Sequence, residues 1–431
     1  MPLTAIGFLI IFAYGCFATL FKRPIYGLYL YFFVFYLHPP GKYWGAYLPD
    51  FRWTFFAALL TFASLLLKES NKGTWIKAQQ SKLLILFLAF IVFQSPFALG
   101  SDVHSEYIIL FAKMVLLFFI IVTLVNTEGD LFGVILINLL GCAYMGWLGY
   151  TQHTSGRFET VGAPALSGAN LMGMHVASVL TASSFYLLGL TTKYRFILLI
   201  PIAFALNLIF LTQSRGALFS IICAGIFIFI FKPVDMKKSL YLYGAGALVA
   251  GTLLIGPQLI ERIQGVTQAK SSDDMEKSAY SRVVIIESQL EMLKESPLVG
   301  FGHRGTLILS PLYVPETYMT NSDGKGDRRA SHNLTMSLLV DHGIIGTAIY
   351  YLVVLRCILL VKNVRRYDVA FSIRCTLFGL VSGLFCFMVA AQFSSGKVLE
   401  LDIWLMALIT VIELKFLPKR NKDVGKKQRA Q

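Results

Sequence analysis

Residues 107–125 read YIILFAKMVLLFFIIVTLV, nineteen positions with a single charge, Lys113. A helix needs about 20 predominantly apolar residues to cross the hydrocarbon core of a bilayer, so this stretch is a transmembrane span by length and composition. Stretches of the same kind recur near 3–21, 25–37, 53–67, 83–99, 131–150, 165–190, 196–212, 216–231, 239–257, 343–361, 371–391 and 403–417. The prediction is 12 or 13 spans, the count turning on 25–37, which is short and runs into the aromatic, Pro-rich HPPGKYWGAYLPDFRW. Such a segment tilts or re-enters.

The chain of 431 residues is 56% hydrophobic and 14% charged, against roughly 25% charged in a soluble domain. A soluble fold is excluded. The expected fold is an all-α polytopic integral membrane protein with one large helical periplasmic loop. It divides into a transmembrane bundle at 1–257, a cap at 258–342, further spans at 343–417 and a basic tail at 418–431. The N-terminal MPLTAIGFLIIFAYGCFATLFKRP carries its positive charges after the apolar run, as an uncleaved helix does rather than a signal peptide.

Net charge is +14. On a soluble chain that would suggest nucleic acid; here the bases fall in short breaks between apolar runs, so the expected partner is the lipid bilayer and no nucleic acid. With the C-terminus cytoplasmic, 22 Lys and Arg lie on one side and 14 on the other, the positive-inside pattern, which makes the opposite side periplasmic or extracellular. Lys113 and Arg356 remain inside apolar runs, where charge is a functional candidate by default; the alternative is snorkelling or a helix contact. The six cysteines sit in or beside apolar segments, without a disulfide framework or C-x-x-C site.

Segment 258–331 is the one long polar stretch, with nine bases and ten acids. Ala279, Val283, Ile286, Leu290 and Leu293 recur at helical spacing, predicting an amphipathic helix over 278–295 ended by Ser296-Pro297. Its apolar face is expected on the bilayer or the bundle top. Beyond PLVGFGHRG, the stretch TLILSPLYVPETYMTNSDGKGDRRA reads as a mobile loop. Ser331-His332-Asn333 then caps a second helix, with His332 in its first turn and Asp341-His342-Gly343 turning the chain into the next span.

Three polar clusters stand at the outward ends of segments: GRFETVGAPALSGAN at 156–170, LTQSRGALF at 211–219, and the cap with YSR at 280–282 and SHN at 331–333. Arg157, Arg215, Arg282 and His332 therefore share one side. A guanidinium stays charged and binds two phosphate oxygens at once, and Arg215 is held at the interface by a short turn; the alternative is a hairpin arginine meeting lipid headgroups. Arg282 could equally pair with Glu287, Glu276 or Asp274. His332 is a general-base candidate because imidazole is neutral at neutral pH and neighbouring arginines depress its pKa further; the alternative is a helix-end cap. His303 and His342 are weaker, a loop and a helix-end residue. No H-E-x-x-H, outward Asp-x-Asp or phosphate loop is present, so neither metal nor nucleotide cofactor is expected.

Together these features resemble the O-antigen ligase and O-antigen polymerase superfamily: many helices, Ser-Arg-Gly at the outer end of one, an Arg-bearing helix in a large outward loop, P-L-V-G-F-G, and S-H-N before a D-H-G turn. The N-terminal KRPIYGLYLYFFVFYLHPPGKYWG also resembles the O-glycosylation ligases associated with the exosortase A system. The resemblance implies a GT-C-like bundle and a glycosyltransferase that takes a glycan from undecaprenyl diphosphate and transfers it, with inversion and without metal, to an acceptor hydroxyl on the periplasmic face. It implies His332, Arg215 and Arg282 as catalytic residues, with Arg157, Arg215, Arg282 and Asn333 binding substrate. The acceptor would be a lipid, protein or polysaccharide, and polysaccharide-export or exosortase-system proteins the partners. Region 311–330 does not match the ligases' pattern, which leaves the acceptor open. The competing readings are a polymerase joining lipid-linked repeat units, a lipid-linked oligosaccharide flippase, which should show deep charges and a repeat, and a scaffold of an export machine.

Overall fold

A computed structural model describes residues 1–69, 72–159, 163–166, 168–189, 196–232, 277–319, 328–364, 369–394, 396–397 and 399–417. These residues form fourteen α-helices and no strand. In chain order the helices are α1 (Leu3–Phe17), α2 (Ile25–Leu37), α3 (Trp53–Lys68), α4 (Gln79–Phe93), α5 (Ser101–Leu124), α6 (Glu128–Gln152) and α7 (Ala169–Gly189). There follow α8 (Leu199–Thr212), α9 (Arg215–Phe231), α10 (Lys277–Glu295), α11 (Gly305–Tyr313), α12 (Leu334–Val364), α13 (Phe371–Ala390) and α14 (Leu401–Val411). Among the described residues, five helical segments are long and apolar enough to cross a bilayer: Leu3–Lys22, Ser101–Leu124, Glu128–Gln152, Leu334–Lys362 and Phe371–Phe393. Helices α3, α4, α8 and α9 are shorter and apolar. The chain is a multi-pass membrane protein. Every expected span except 239–257, which lies outside the described residues, coincides with a helix.

Local chemistry sets the ends. Helix α4 stops at Phe93 rather than running to 99, because Ser95-Pro96 breaks it into a 3-10 turn. Helix α6 opens on a capping box in which Thr127 and Asp130 satisfy each other's backbone N–H groups, and Asp130 also takes Arg23 Nη2 at 2.9 Å. Short α2 lies against α3 and α6, buried on most of its surface from Ile25 to Tyr36.

Helices α7 and α13 share the most extensive contact among the described helices. Gly379 and Gly383, one turn apart on α13, permit it: a Cβ on Gly379 would fall 2.5 Å from the Ala182 carbonyl oxygen, and one on Gly383 would fall 2.8 Å from that of Ser178. Small residues one turn apart let helix backbones meet where lipid supplies no hydrophobic drive.

The two charges inside apolar runs have plain placements. Arg356 lies 3.6 Å from Glu413, whose other oxygen accepts from Gln80 Nε2 at 2.6 Å, so it lines a helix contact. Lys113 is exposed on α5.

In the cap, α10 matches the expected helix, but its buried face is rotated. Ser281, Val284, Ile285, Ser288, Gln289 and Met292 are buried, whereas Val283 and Leu290 are 44% and 46% exposed. The polar members of the buried face are satisfied internally: Ser288 Oγ donates to Val284 O and Gln289 Nε2 to Thr306 Oγ1. A count of apolar residues alone misses a face built partly of hydrogen-bonded side chains.

The expected mobile loop is helical over Gly305–Tyr313 despite Pro311. The Leu307 carbonyl, which Pro311 cannot bond, accepts from Ser310 Oγ at 2.9 Å. The preceding PLVGFG segment docks on the Asp341-His342-Gly343 kink of α12. Phe301 N–H donates to Val340 O, Gly302 N–H to Asp341 O, and Ile344 N–H to Pro297 O. Both segments take left-handed glycines at the crossing, Gly300 (φ 74°) and Gly343 (φ 63°), and a Cβ on Gly343 would lie 2.2 Å from Leu298 O. Only glycine fits there. The motif thus fastens the cap to the bundle.

Candidate functional site

The α8–α9 turn is built by three residues. Gln213 takes a left-handed backbone (φ 48°), Ser214 caps α9 by accepting from Ala217 N–H, and Arg215 becomes the first residue of α9. The dipole at that helix end favours an anion. Arg157 reaches the same place from the α6–α7 connection. Its chain is pinned by Phe158 N–H donating to Leu211 O at 2.9 Å, and its guanidinium donates from Nε to Thr212 O at 3.2 Å and from Nη2 to Asn170 Oδ1 at 2.7 Å.

Arg282, from the start of α10, completes an open cavity lined by Arg157, Asn170, Gln213, Arg215, Arg282 and Phe393 among others. None of the described lining residues is acidic. Gly216 lets the Phe393 ring close one wall, since a Cβ there would sit 2.8 Å from Phe393 Cβ. Three arginines up to 125 positions apart in the chain thus share one polar cavity.

His332 and Asn333 do not line this cavity. Asn333 is the N-cap of α12: its Oδ1 accepts from Met336 N–H at 2.9 Å and its Nδ2 donates to Gln392 O at 3.2 Å. His332 therefore precedes the helix instead of sitting in its first turn. His332 is exposed overall, but the protein packed about its imidazole, followed by the charges of Arg282 and Arg329, holds its pKa below the ordinary imidazole value. The imidazole thus lies within the field of one cavity arginine.

Sequence reasoning missed Arg329. Its backbone N–H donates to Ser310 Oγ at 2.7 Å and its Nη2 reaches Ser281 Oγ, beside Arg282, at 3.5 Å. The one available signal was the Arg328-Arg329 pair just before Ser331-His332-Asn333. Asn170 and Gln213 lay inside the quoted motifs without being singled out, and Phe393 carried no signal.

The weaker histidines belong to the cap's foot. His303 stacks on Tyr107 at 4.0 Å, with the rings parallel to within 1°, and its Nδ1 is 3.8 Å from Asp341. His342 Nδ1 donates to Gln94 Oε1 at 2.9 Å, a carbonyl oxygen that can only accept.

Residues 200–351 match the family model of O-antigen ligase. The matched O-antigen ligase stretch covers about a third of the chain. It contains Arg215, Arg282, Arg329, His332 and Asn333 and leaves Arg157 outside. No curated protein matches the chain.

Proposed function

We propose that this chain is a membrane glycosyltransferase that moves a glycan from undecaprenyl diphosphate to an acceptor hydroxyl on the periplasmic face. The observation that carries the reading is the meeting of Arg157, Arg215 and Arg282 in one cavity at the N-terminus of α9, with His332 within the electrostatic reach of Arg282, largely within the stretch that matches O-antigen ligase. In this reading the acceptor oxygen attacks the anomeric carbon in line, with inversion. The bond from that carbon to the diphosphate oxygen breaks, and its electron pair leaves with the lipid diphosphate, which gains one negative charge.

Arg215 and Arg282, with the α9 N-terminus, stabilise that charge where it develops, the condition for lowering the barrier rather than only binding substrate. A diphosphate is a weak base and needs no proton to leave, so the arginines supply what the leaving group requires without a metal. His332 takes the acceptor's proton. Arg157, oriented by Asn170 and the Thr212 carbonyl, binds the diphosphate. Asn333 supports His332 from the backbone, because both ends of its amide are engaged.

The test is transfer by purified protein from undecaprenyl-diphosphate glycan in EDTA and without nucleotide, offering lipid A core, a Ser/Thr peptide or lipid-linked repeat units. The peptide comes first, given the N-terminal resemblance to exosortase-associated ligases. The expected result is transfer that falls at least about 10²-fold in His332→Ala and Arg215→Ala. A single added block means ligase and a ladder means polymerase. Wild-type transfer by either variant would sink the reading.

A further inference from the structure

The turn that follows α13 touches both halves of the proposed site. Toward the arginines, Phe393 and Ser394 line the cavity, and Phe393 closes over Gly216, next to Arg215. Toward the imidazole, Gln392 O accepts from Asn333 Nδ2 at 3.2 Å and Gln392 Oε1 accepts from Thr335 Oγ1 at 2.7 Å. The Gln392 amide is itself fixed, since Nε2 donates to Met388 O at 2.9 Å on the last turn of α13. The Thr335 hydroxyl also meets Tyr351 Oη on the same helix at 2.5 Å.

A second fastening lies further along the same connection. Lys397 Nζ donates to Ser337 O at 2.9 Å and to the Asp341 carboxylate, and both side chains are nearly buried, 7% and 2% exposed. The first turns of α12 are thus held at positions 333, 335, 337 and 341 by one connection rooted in α13. Helix α13 in turn is locked to α7 through Gly379 and Gly383, and α7 carries Asn170, the orienting partner of Arg157.

We propose that Gln392 is a positioning residue that sets the distance between His332 and the arginine cavity, the turn 391–394 acting as a strap from the Arg215 wall to the start of α12. This rests on the catalytic reading of His332 given above. The physical case is that His332 precedes its helix and has no regular backbone pairing of its own. On the α10 side Ser331 Oγ donates to Gln289 Oε1 at 3.4 Å, and on the other the bonds of Asn333 and Thr335 to Gln392 set where the imidazole stands relative to the cavity wall. Displacement of a catalytic group by about 1 Å can cost on the order of 10²-fold in rate.

The experiment compares Gln392→Leu, Gln392→Glu, Thr335→Val and His332→Ala in the transfer assay, with binding of undecaprenyl diphosphate measured separately. Leucine removes the acceptor for the Thr335 hydroxyl. Glutamate keeps that acceptor while giving up the Nε2 bond to Met388 O, and valine at 335 breaks the Thr335 bond from the other side. The expected result is a kcat lower by about 10-fold or more in Gln392→Leu and Thr335→Val, with KM and lipid diphosphate affinity within about 2-fold of wild type, and most of the rate restored in Gln392→Glu. Loss in His332→Ala combined with wild-type kcat in both Gln392→Leu and Thr335→Val overturns this inference alone. So does an equal loss of binding and rate in the Leu and Glu variants, which marks a merely structural residue. Wild-type transfer in His332→Ala overturns the reading of His332 and this inference with it.

Discussion

A base must be neutral to accept a proton, and the surroundings of His332 press it that way. Packing disfavours the imidazolium first, and Arg282 and Arg329 add like-charge repulsion. The pKa therefore lies below the usual imidazole value, and transfer should hold its rate at neutral pH and fall only as acid titrates the ring. Arg329→Gln removes one positive neighbour, raises the pKa and should move the acid limb of the rate profile to higher pH. A limb that stays in place or moves lower contradicts this assignment. Much of the residue scale was legible: Arg157 and Arg215 announced themselves by standing in short polar breaks between apolar runs. The partner relations were not, because Arg329 to Ser281 and Asn333 to Gln392 join residues 48 and 59 positions apart, and a lone sequence carries no record of such pairs.

Among the elements, the α7–α13 contact depends on close backbone approach. Gly383→Leu should destabilise the detergent-solubilised protein by about 1–3 kcal/mol or more, as overpacking does, and a melting temperature equal to wild type would refute the packing account. The cap's foot should respond to acid. Burial lowers the His303 pKa to about 4, with Asp341 pulling the other way. The folded state therefore holds the ring neutral while the unfolded chain protonates near pH 6.5. The sign follows: stability is full above about pH 6.5 and declines as pH falls toward 4, by about 3 kcal/mol at most. His303→Gln should flatten that decline in a pH series of melting temperatures, and an unchanged slope counts against it. Element positions were readable from apolar length alone, since lipid-facing helices need it. The face of α10 and the existence of α11 were not readable, because hydrogen-bonded Ser and Gln occupy the buried stripe and Ser310 stands in for the bond Pro311 cannot make.

For the molecule as a whole, the chain returns to one cavity from four places: the connection before α7, the α8–α9 turn, the start of α10 and the end of α13. The α12 N-terminus is fastened alongside by Gln392 and Lys397. An alternating up-and-down bundle makes such convergence cheap, because every second connection falls at the same end. That is why the sharing of one side by Arg157, Arg215, Arg282 and His332 could be expected from segment order, while their distances could not. The central claim is that the arginines hold a lipid diphosphate and His332 performs the proton transfer beside it. Single-turnover transfer at saturating donor, with donor binding measured in parallel, separates the two roles. His332→Ala should bind undecaprenyl-diphosphate glycan within about 2-fold of wild type and transfer it at least about 10²-fold more slowly. An alanine variant that transfers at the wild-type rate would contradict the account.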